Sequence, residues 1–171
     1  PGEDFESYPR TWEEDLEACR EEGAAAVFAP SRDEIYPDGF RTSVVVREMP
    51  DVLCGRTRPG HFDGVTTVVA RLFGMVRPHF AVFGEKDYQQ LTLVRRMVTD
   101  LELRVKVHGV PTVREADRLA RSSRNAHLSP EERTLAAAVP AALAAGVSAA
   151  DLGRSADAVV GAAELELMRV G

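Results

Sequence analysis

Four polar clusters in the chain carry residue types that can do chemistry. The first is Phe83-Gly84-Glu85-Lys86-Asp87-Tyr88-Gln89-Gln90. It stands where a short apolar run gives way to a helical pattern, and open parallel sheets bind ligands outside the carboxyl ends of their strands. Backbone N–H groups at a helix start, with a lysine beside them, suit a phosphate, and glycine lets the main chain approach a ligand closely. The same residues also fit a purely structural turn, with Asp87 and Gln90 forming a capping box and Lys86 simply exposed. The second cluster is Glu115-Ala116-Asp117-Arg118-Leu119-Ala120-Arg121-Ser122-Ser123-Arg124-Asn125. Hydroxyls beside guanidinium groups can grip a polyphosphate through charge-assisted hydrogen bonds, whereas the alternative is a solvated loop between periodic segments.

The third cluster, Arg58-Pro59-Gly60-His61-Phe62-Asp63-Gly64, sets a histidine and an arginine in a glycine-bounded loop. It can contact an anion or only cap the following helix, and His61 is of the type that titrates near neutrality. The fourth, Tyr8-Pro9-Arg10-Thr11-Trp12-Glu13-Glu14-Asp15-Leu16, offers adjacent carboxylates. Mg²⁺ favours one or two carboxylates together with phosphate oxygens. Acidic residues also complement the dipole of a helix's first turn, and Glu14 completes a capping box with Thr11. His79, His108 and His127 have no metal-ligand spacing, and no G-x-S-x-G elbow, P-loop or G-x-G-x-x-G is present. Cys54 lacks an identifiable base and reads as a buried thiol.

Extended and helical signals alternate around these clusters. Trp12, Leu16 and Cys19 have helical spacing, and Ala25–Ala29 and Thr42–Val46 read as strands. Ser31 with Glu34 caps a short helix between them. Cys54 to Gly64 reads as a loop, and Val65, Val68, Val69, Leu72, Phe73 and Val76 then make an amphipathic helix stopped by Pro78. Phe80–Phe83 is a strand, Leu91 to Leu101 a helix, and Leu103–Val107 another strand. This alternation predicts an α/β fold with a parallel sheet covered by helices. From Thr112 the pattern turns polar, and Ser129-Pro130-Glu131-Glu132 opens an Ala-rich helix to about Gly146. A further helix runs from Ser155 towards Leu167. A boundary near Val113 divides residues 1–112 from 113–171.

The chain has 171 residues with 44% hydrophobic and 28% charged, the balance of an ordinary globular protein. The formal net charge of −6 argues against sequence-independent nucleic-acid binding, which draws its affinity from phosphate contacts. No apolar run is expected to reach the roughly 20 residues of a membrane helix. Cys19 and Cys54 read as free thiols in a reducing cytoplasm. The start has no signal-peptide pattern and no Met, which suggests that a natural beginning is missing.

Together the four clusters resemble the pantothenate synthetase (pantoate–β-alanine ligase) family of the nucleotidyltransferase superfamily. That family carries a Tyr-Pro-Arg-Thr segment with acidic residues, an Arg-Pro-x-His-Phe-x-Gly-Val loop, Phe-Gly-Glu-Lys-Asp-Tyr-Gln-Gln, and Ser-Ser-Arg-Asn after Pro-Thr-Val-Arg-Glu. They occur here in the same order at Tyr8, Arg58, Phe83 and Pro111–Asn125.

The resemblance implies a Rossmann-like parallel sheet lacking its N-terminal βα portion, followed by the start of a small α+β C-terminal domain. It implies condensation of pantoate with β-alanine through a pantoyl adenylate, with ATP as substrate and Mg²⁺ as cofactor. Gly84, Glu85, Lys86 and Asp87 would contact ATP, Lys86 at phosphate and Asp87 with the Gly84 backbone at the ribose. Val113 would lie by the adenine through its backbone. Arg121, Ser122, Ser123 and Arg124 would form a phosphate-gripping loop, and Lys86, Ser122, Ser123 and Arg124 the catalytic set. Gln90 would hold pantoate, with Tyr8, Arg58 and His61 bordering its pocket, and Glu14 and Asp15 would face Mg²⁺. Arg121 stands where the family has Met or Leu, and Glu14 where it has Asp. The family's N-terminal segment with two histidines is absent, so a chain without activity on its own is also expected: a non-catalytic nucleotide-binding fragment. Another adenylate-forming nucleotidyltransferase is a further alternative. A cytoplasmic homodimer, with no nucleic-acid or membrane partner, completes the implied picture. The Lys86 turn and the Ser123 stretch are expected to meet on one triphosphate.

Overall fold

The structure, a computed structural model, describes residues 10–170. Two compact units emerge among the described residues, one of residues 13–111 and one of residues 112–170 with residues 10–12. In the first, helix α1 (Trp12–Glu21) buries no residue. Helix α2 (Arg32–Ile35) is held by a Ser31–Glu34 capping box and buries Ile35. Helix α3 (Cys54–Thr57) is a single turn, and α4 (His61–Val76) begins after Gly60, whose left-handed φ of 76° suits glycine. Residues 54–64 are therefore largely helical rather than a loop. Cys54 is exposed rather than a buried thiol, and both cysteines are free.

Strand β1 (Phe80–Gly84) leads into α5 (Tyr88–Asp100), which returns to strand β2 (Lys106–Val110). The strands are parallel, with Phe80 opposite Lys106 and Gly84 opposite Val110. Leu91, Leu93, Val94 and Met97 of α5 are buried, and Val69 of α4 joins Val94 and Met97 in the core. Phe73, Phe83 and Val107 pack around that cluster. Each such side chain contributes roughly 1.5–3 kcal/mol by leaving water. Only one face of the β1–β2 pair is covered in this way, for Phe80 and Val82 on the other are 60% and 65% exposed.

The segments 25–29 and 42–46 belong to no ladder, contrary to their β-branched and apolar patterns. A strand exists only with a partner, and Val44 finds side chains instead. Its N–H donates to Thr67 Oγ1 at 2.9 Å, and its carbonyl accepts from Thr66 Oγ1. Val44 and Val46 still pack on the core. The second strand lies three residues beyond the expected Leu103–Val107. Glu102 takes a left-handed φ of 49°, Val105 is buried, and the ladder opens only where Lys106 N–H donates to His79 O.

In the second unit, Arg114 and Ala120 form an antiparallel bridge, and a 3₁₀ turn spans Ser123–His127. Helix α6 (Pro130–Ala136) has a complete Ser129–Glu132 capping box. The expected single Ala-rich helix is broken at Ala137 before α7 (Ala138–Asp151). Pro140 has no N–H to give to Ala136 O, which accounts for the break. Contrary to expectation, the helical stretch Pro130–Asp151 is long and apolar enough to cross a membrane by length and composition. Its buried positions are small ones, Ala138, Ala142 and Gly146 among them. Helix α8 (Ala156–Met168), capped by Ser155, lies against it, and a methyl on Gly146 would sit 3.7 Å from Val159 Cγ1.

Candidate functional site

The turn between β1 and α5 has unused polar groups. Gly84 has an ordinary extended backbone (φ −73°, ψ 138°), and a Cβ there would meet nothing within 4 Å. Neither backbone nor packing requires glycine, so the residue leaves open space at the strand's carboxyl end. Glu85–Asp87 form a 3₁₀ turn, and the Asp87 side chain makes no cap to α5. The Asp87–Gln90 capping box does not form. Lys86 Nζ instead lies 3.6 Å from Asp87 Oδ1, with both side chains in solvent. Glu85 leans towards β2, where a methyl on Gly109 would come within 3.0 Å of its Oε1.

The adjacent glutamines differ. Gln90 is half-buried, and its amide has no hydrogen-bond partner among the described residues. Gln89 is fully engaged with the segment before α3, a role that spacing alone could not distinguish. That segment and the start of α4 enclose a cavity of about 480 Å³ walled by Arg47, Arg56 and Arg58 together with Glu48, Asp51 and Asp63. Arg58 thus borders a cavity. His61 does not line it, and its ring packs edge-on to Phe62 with centroids 5.0 Å apart.

In the second unit, Val113 begins a hairpin. Its carbonyl accepts from Arg121 N–H at 2.9 Å, while its own N–H meets no acceptor among the described residues. Glu115 N–H donates to Leu119 O, and Arg118 turns the chain at a left-handed φ of 71°. Arg121 Nε donates to Glu115 Oε1 at 3.1 Å. Ser122 accepts from Arg124 N–H and opens the 3₁₀ turn, which Asn125 braces through Ala120 O. Ser123 and Arg124 are exposed on that turn. Asp117 receives Leu119 N–H and the Arg133 guanidinium, and the Arg133 hydrogen bond holds its carboxyl below the usual value of 3.8. Arg133 is raised by the same bond.

Tyr8 lies outside the described residues. Glu14 and Asp15 are exposed in the first turn of α1, and neighbours on a helix point about 100° apart. No group of three or more His, Cys, Asp or Glu among the described residues could hold a metal. The pair fits a Mg²⁺ brought by phosphate oxygens, with one carboxylate completing its shell.

A parallel strand–turn–helix–strand unit whose turn at the strand's carboxyl end is uncapped makes this an α/β protein. The family profile described as "Pantoate-beta-alanine ligase" matches residues 1–169. The pantothenate synthetase of Saccharopolyspora erythraea is 55% identical over 95% of this chain and 53% of its own length. That of Aquifex aeolicus is 57% identical over 81% of this chain and 49% of its own. The crystal structure of pantothenate synthetase from Thermus thermophilus superposes with a TM-score of 0.95 at 51% identity, covering 99% of this chain and 62% of that one. A pantoate-beta-alanine ligase from Francisella tularensis, complexed with beta-gamma ATP and beta-alanine, gives a TM-score of 0.75 at 34% identity over 80% of this chain and 52% of that one. The chain belongs to the pantoate-beta-alanine ligase family. It spans about half the length of the curated relatives it matches.

Proposed function

We propose that this chain carries nucleotide- and acid-binding residues of an ATP-dependent ligase that joins pantoate to β-alanine. A carboxylate oxygen of pantoate attacks the α-phosphorus of ATP, the bond to the bridging oxygen breaks, and pyrophosphate leaves. The amine of β-alanine then attacks the acyl carbon, AMP leaves, and the amine gives up a proton to solvent. Such chemistry rests on positioning and charge stabilisation more than on covalent help from the protein.

The observation that carries this reading is the uncapped turn at the end of β1, in a chain of this family. Lys86 takes phosphate oxygens, and Asp87 with the Gly84 backbone takes the ribose, in the open space beside that glycine. The N–H of Val113 suits an adenine nitrogen and the amide of Gln90 suits pantoate, neither having a partner among the described residues. Arg58 and His61, with Tyr8, border the pantoate pocket. Ser122, Ser123 and Arg124 hold phosphate, whereas Arg121 is already drawn to Glu115. Glu14 or Asp15 would take one position around a phosphate-borne Mg²⁺, which supplies charge neutralisation when bound. The free thiols agree with a cytoplasmic setting, and a homodimer is the assembly the family resemblance implies.

The test supplies the chain with ATP, Mg²⁺ and pantoate and follows pyrophosphate, then adds β-alanine and follows AMP. Pyrophosphate release that requires pantoate supports the reading. ATP binding by calorimetry without release marks a nucleotide-binding module without chemistry. Release driven by other acids marks a different adenylate-forming enzyme, and absence of ATP binding overturns the reading.

A further inference from the structure

Gln89, in the first turn of α5, reaches back about 35 to 40 residues in sequence. Its Nε2 donates to Val52 O at 2.7 Å and to Met49 O at 3.1 Å, and its Oε1 accepts from Cys54 N–H at 3.1 Å. All three partners are main-chain groups of one segment. That segment is strained: Glu48 and Leu53 take φ of 67° and 51°, left-handed values that side chains disfavour. It is also folded tightly on itself, for a methyl on Gly55 would lie 1.6 Å from Pro50 O. Strained backbone persists only where its surroundings over-determine it, and here Gln89 adds three hydrogen bonds from outside the segment to its own Asp51 N–H to Glu48 O and Gly55 N–H to Val52 O. Arg47 and Arg56 flank this segment on the wall of the 480 Å³ cavity, beside Glu48, Asp51 and Asp63, and neither guanidinium has an ion-pair or hydrogen-bond partner among the described residues.

We propose that Gln89 is a positioning residue for the acid substrate. It fixes the segment 49–54, and with it the arginine wall of the cavity, relative to the Glu85–Asp87 turn that opens the same helix. This rests on the ligase reading above and adds a residue to it. The two glutamines divide the work: Gln90 is left for ligand, and Gln89 orders the wall that faces a carboxylate. A wall of fixed guanidinium groups loses less freedom on binding an anion, which is the advantage of preorganisation.

Gln89→Met keeps the length of the side chain and removes all three hydrogen bonds. The expected result is exchange of the Cys54 amide proton accelerated about tenfold, the scale of one hydrogen bond, with the Val94 and Met97 amides unchanged. Pantoate binding, read by calorimetry, weakens by about the same factor, while ATP affinity stays within about twofold. Gln89→Glu keeps the acceptor for Cys54 but sets a carboxylate against two carbonyls. It therefore retains Cys54 protection while losing pantoate affinity, and it decides the matter if the Met variant does not fold. Unchanged Cys54 exchange in a folded Met variant overturns the proposal. So does unchanged pantoate affinity, or an equal loss of pantoate and ATP binding. If the unsubstituted chain binds no pantoate, the ligase reading fails and the substrate half of this inference falls with it. The exchange measurement still decides whether the amide holds the segment.

Discussion

Helices α5 and α6 both open on sequence that matches a capping pattern, and they use it in opposite ways. At α6, Ser129 accepts from Glu132 N–H, and Glu132 reaches back to Ser129 N–H at 2.8 Å. The Ser31–Glu34 pair at α2 does the same. At α5, Asp87 leaves its helix uncapped and Gln90 does not reach back. Helix α5 is held by its buried face, with Leu91, Leu93, Val94 and Met97 shielded from water. Helix α6 buries no residue and depends on its cap. Polar groups at a helix start can therefore be used within the chain, or be left over where packing already secures the helix. Those left over are the ones a ligand can use.

The largest effect expected from this contrast is on the core. Leu91→Ala should lower unfolding stability by ~2–5 kcal/mol in urea titration, because a fully buried side chain leaves a cavity. The matching truncation on the other helix, Leu135→Ala, concerns a side chain 48% exposed and should stay within about 0.5 kcal/mol. Similar losses at both positions would break the contrast.

Next in size is the uncapped turn before α5. Lys86→Ala should weaken ATP binding by ~1–3 kcal/mol, the scale of a charged hydrogen bond. Its ion pair with Asp87 is solvent-exposed, so the thermal midpoint should barely move. Unchanged ATP affinity would remove Lys86 from the phosphate site. Ser129→Ala should do the reverse, costing ~1 kcal/mol of stability through the lost cap and leaving ATP affinity as it was. Loss of ATP affinity with full stability in that variant would show that capping and ligand binding are not separable here.

The two capping boxes at Ser31 and Ser129 are legible in the sequence because the interaction is local: hydroxyl and carboxylate stand three residues apart and serve each other's backbone. The absence of one at Asp87 is not legible, since it depends on what packing already provides. The apolar runs at 25–29 and 42–46 report β-branched character, but a ladder needs a neighbour, and Val44 is bound by Thr66 and Thr67 instead. Leu103 and Val105 carry a strand pattern for a related reason: burial, which the pattern encodes, begins before the ladder does. The Phe83–Gln90 turn and the Ser-Ser-Arg stretch can be located from the motifs. The division of labour between Gln89 and Gln90 cannot, because two identical neighbours differ only in which way each side chain faces.

The smallest expected effect separates the two helices by pH. Asp117 holds Arg133 of α6, and that hydrogen bond lowers its carboxyl from the ordinary 3.8. Glu131, in the first turn of α6, is lowered from 4.5 by its own backbone N–H and by the Ser129 hydroxyl. A carboxylate whose value is depressed on folding adds stability above its unfolded value, and that stability is lost as pH falls through the folded one. The contribution of Asp117 is thus complete above 3.8 and declines below it. Asp117→Asn should lower the unfolding midpoint slightly at about pH 7, and the gap from the unsubstituted chain should close by about pH 2, where both are without the charge. Amides of α6 should report the difference and those of α5 should not. A gap that persists at low pH would mean that Asp117 acts through its neutral hydrogen bond to Leu119, and α6 would then owe nothing to the ion pair.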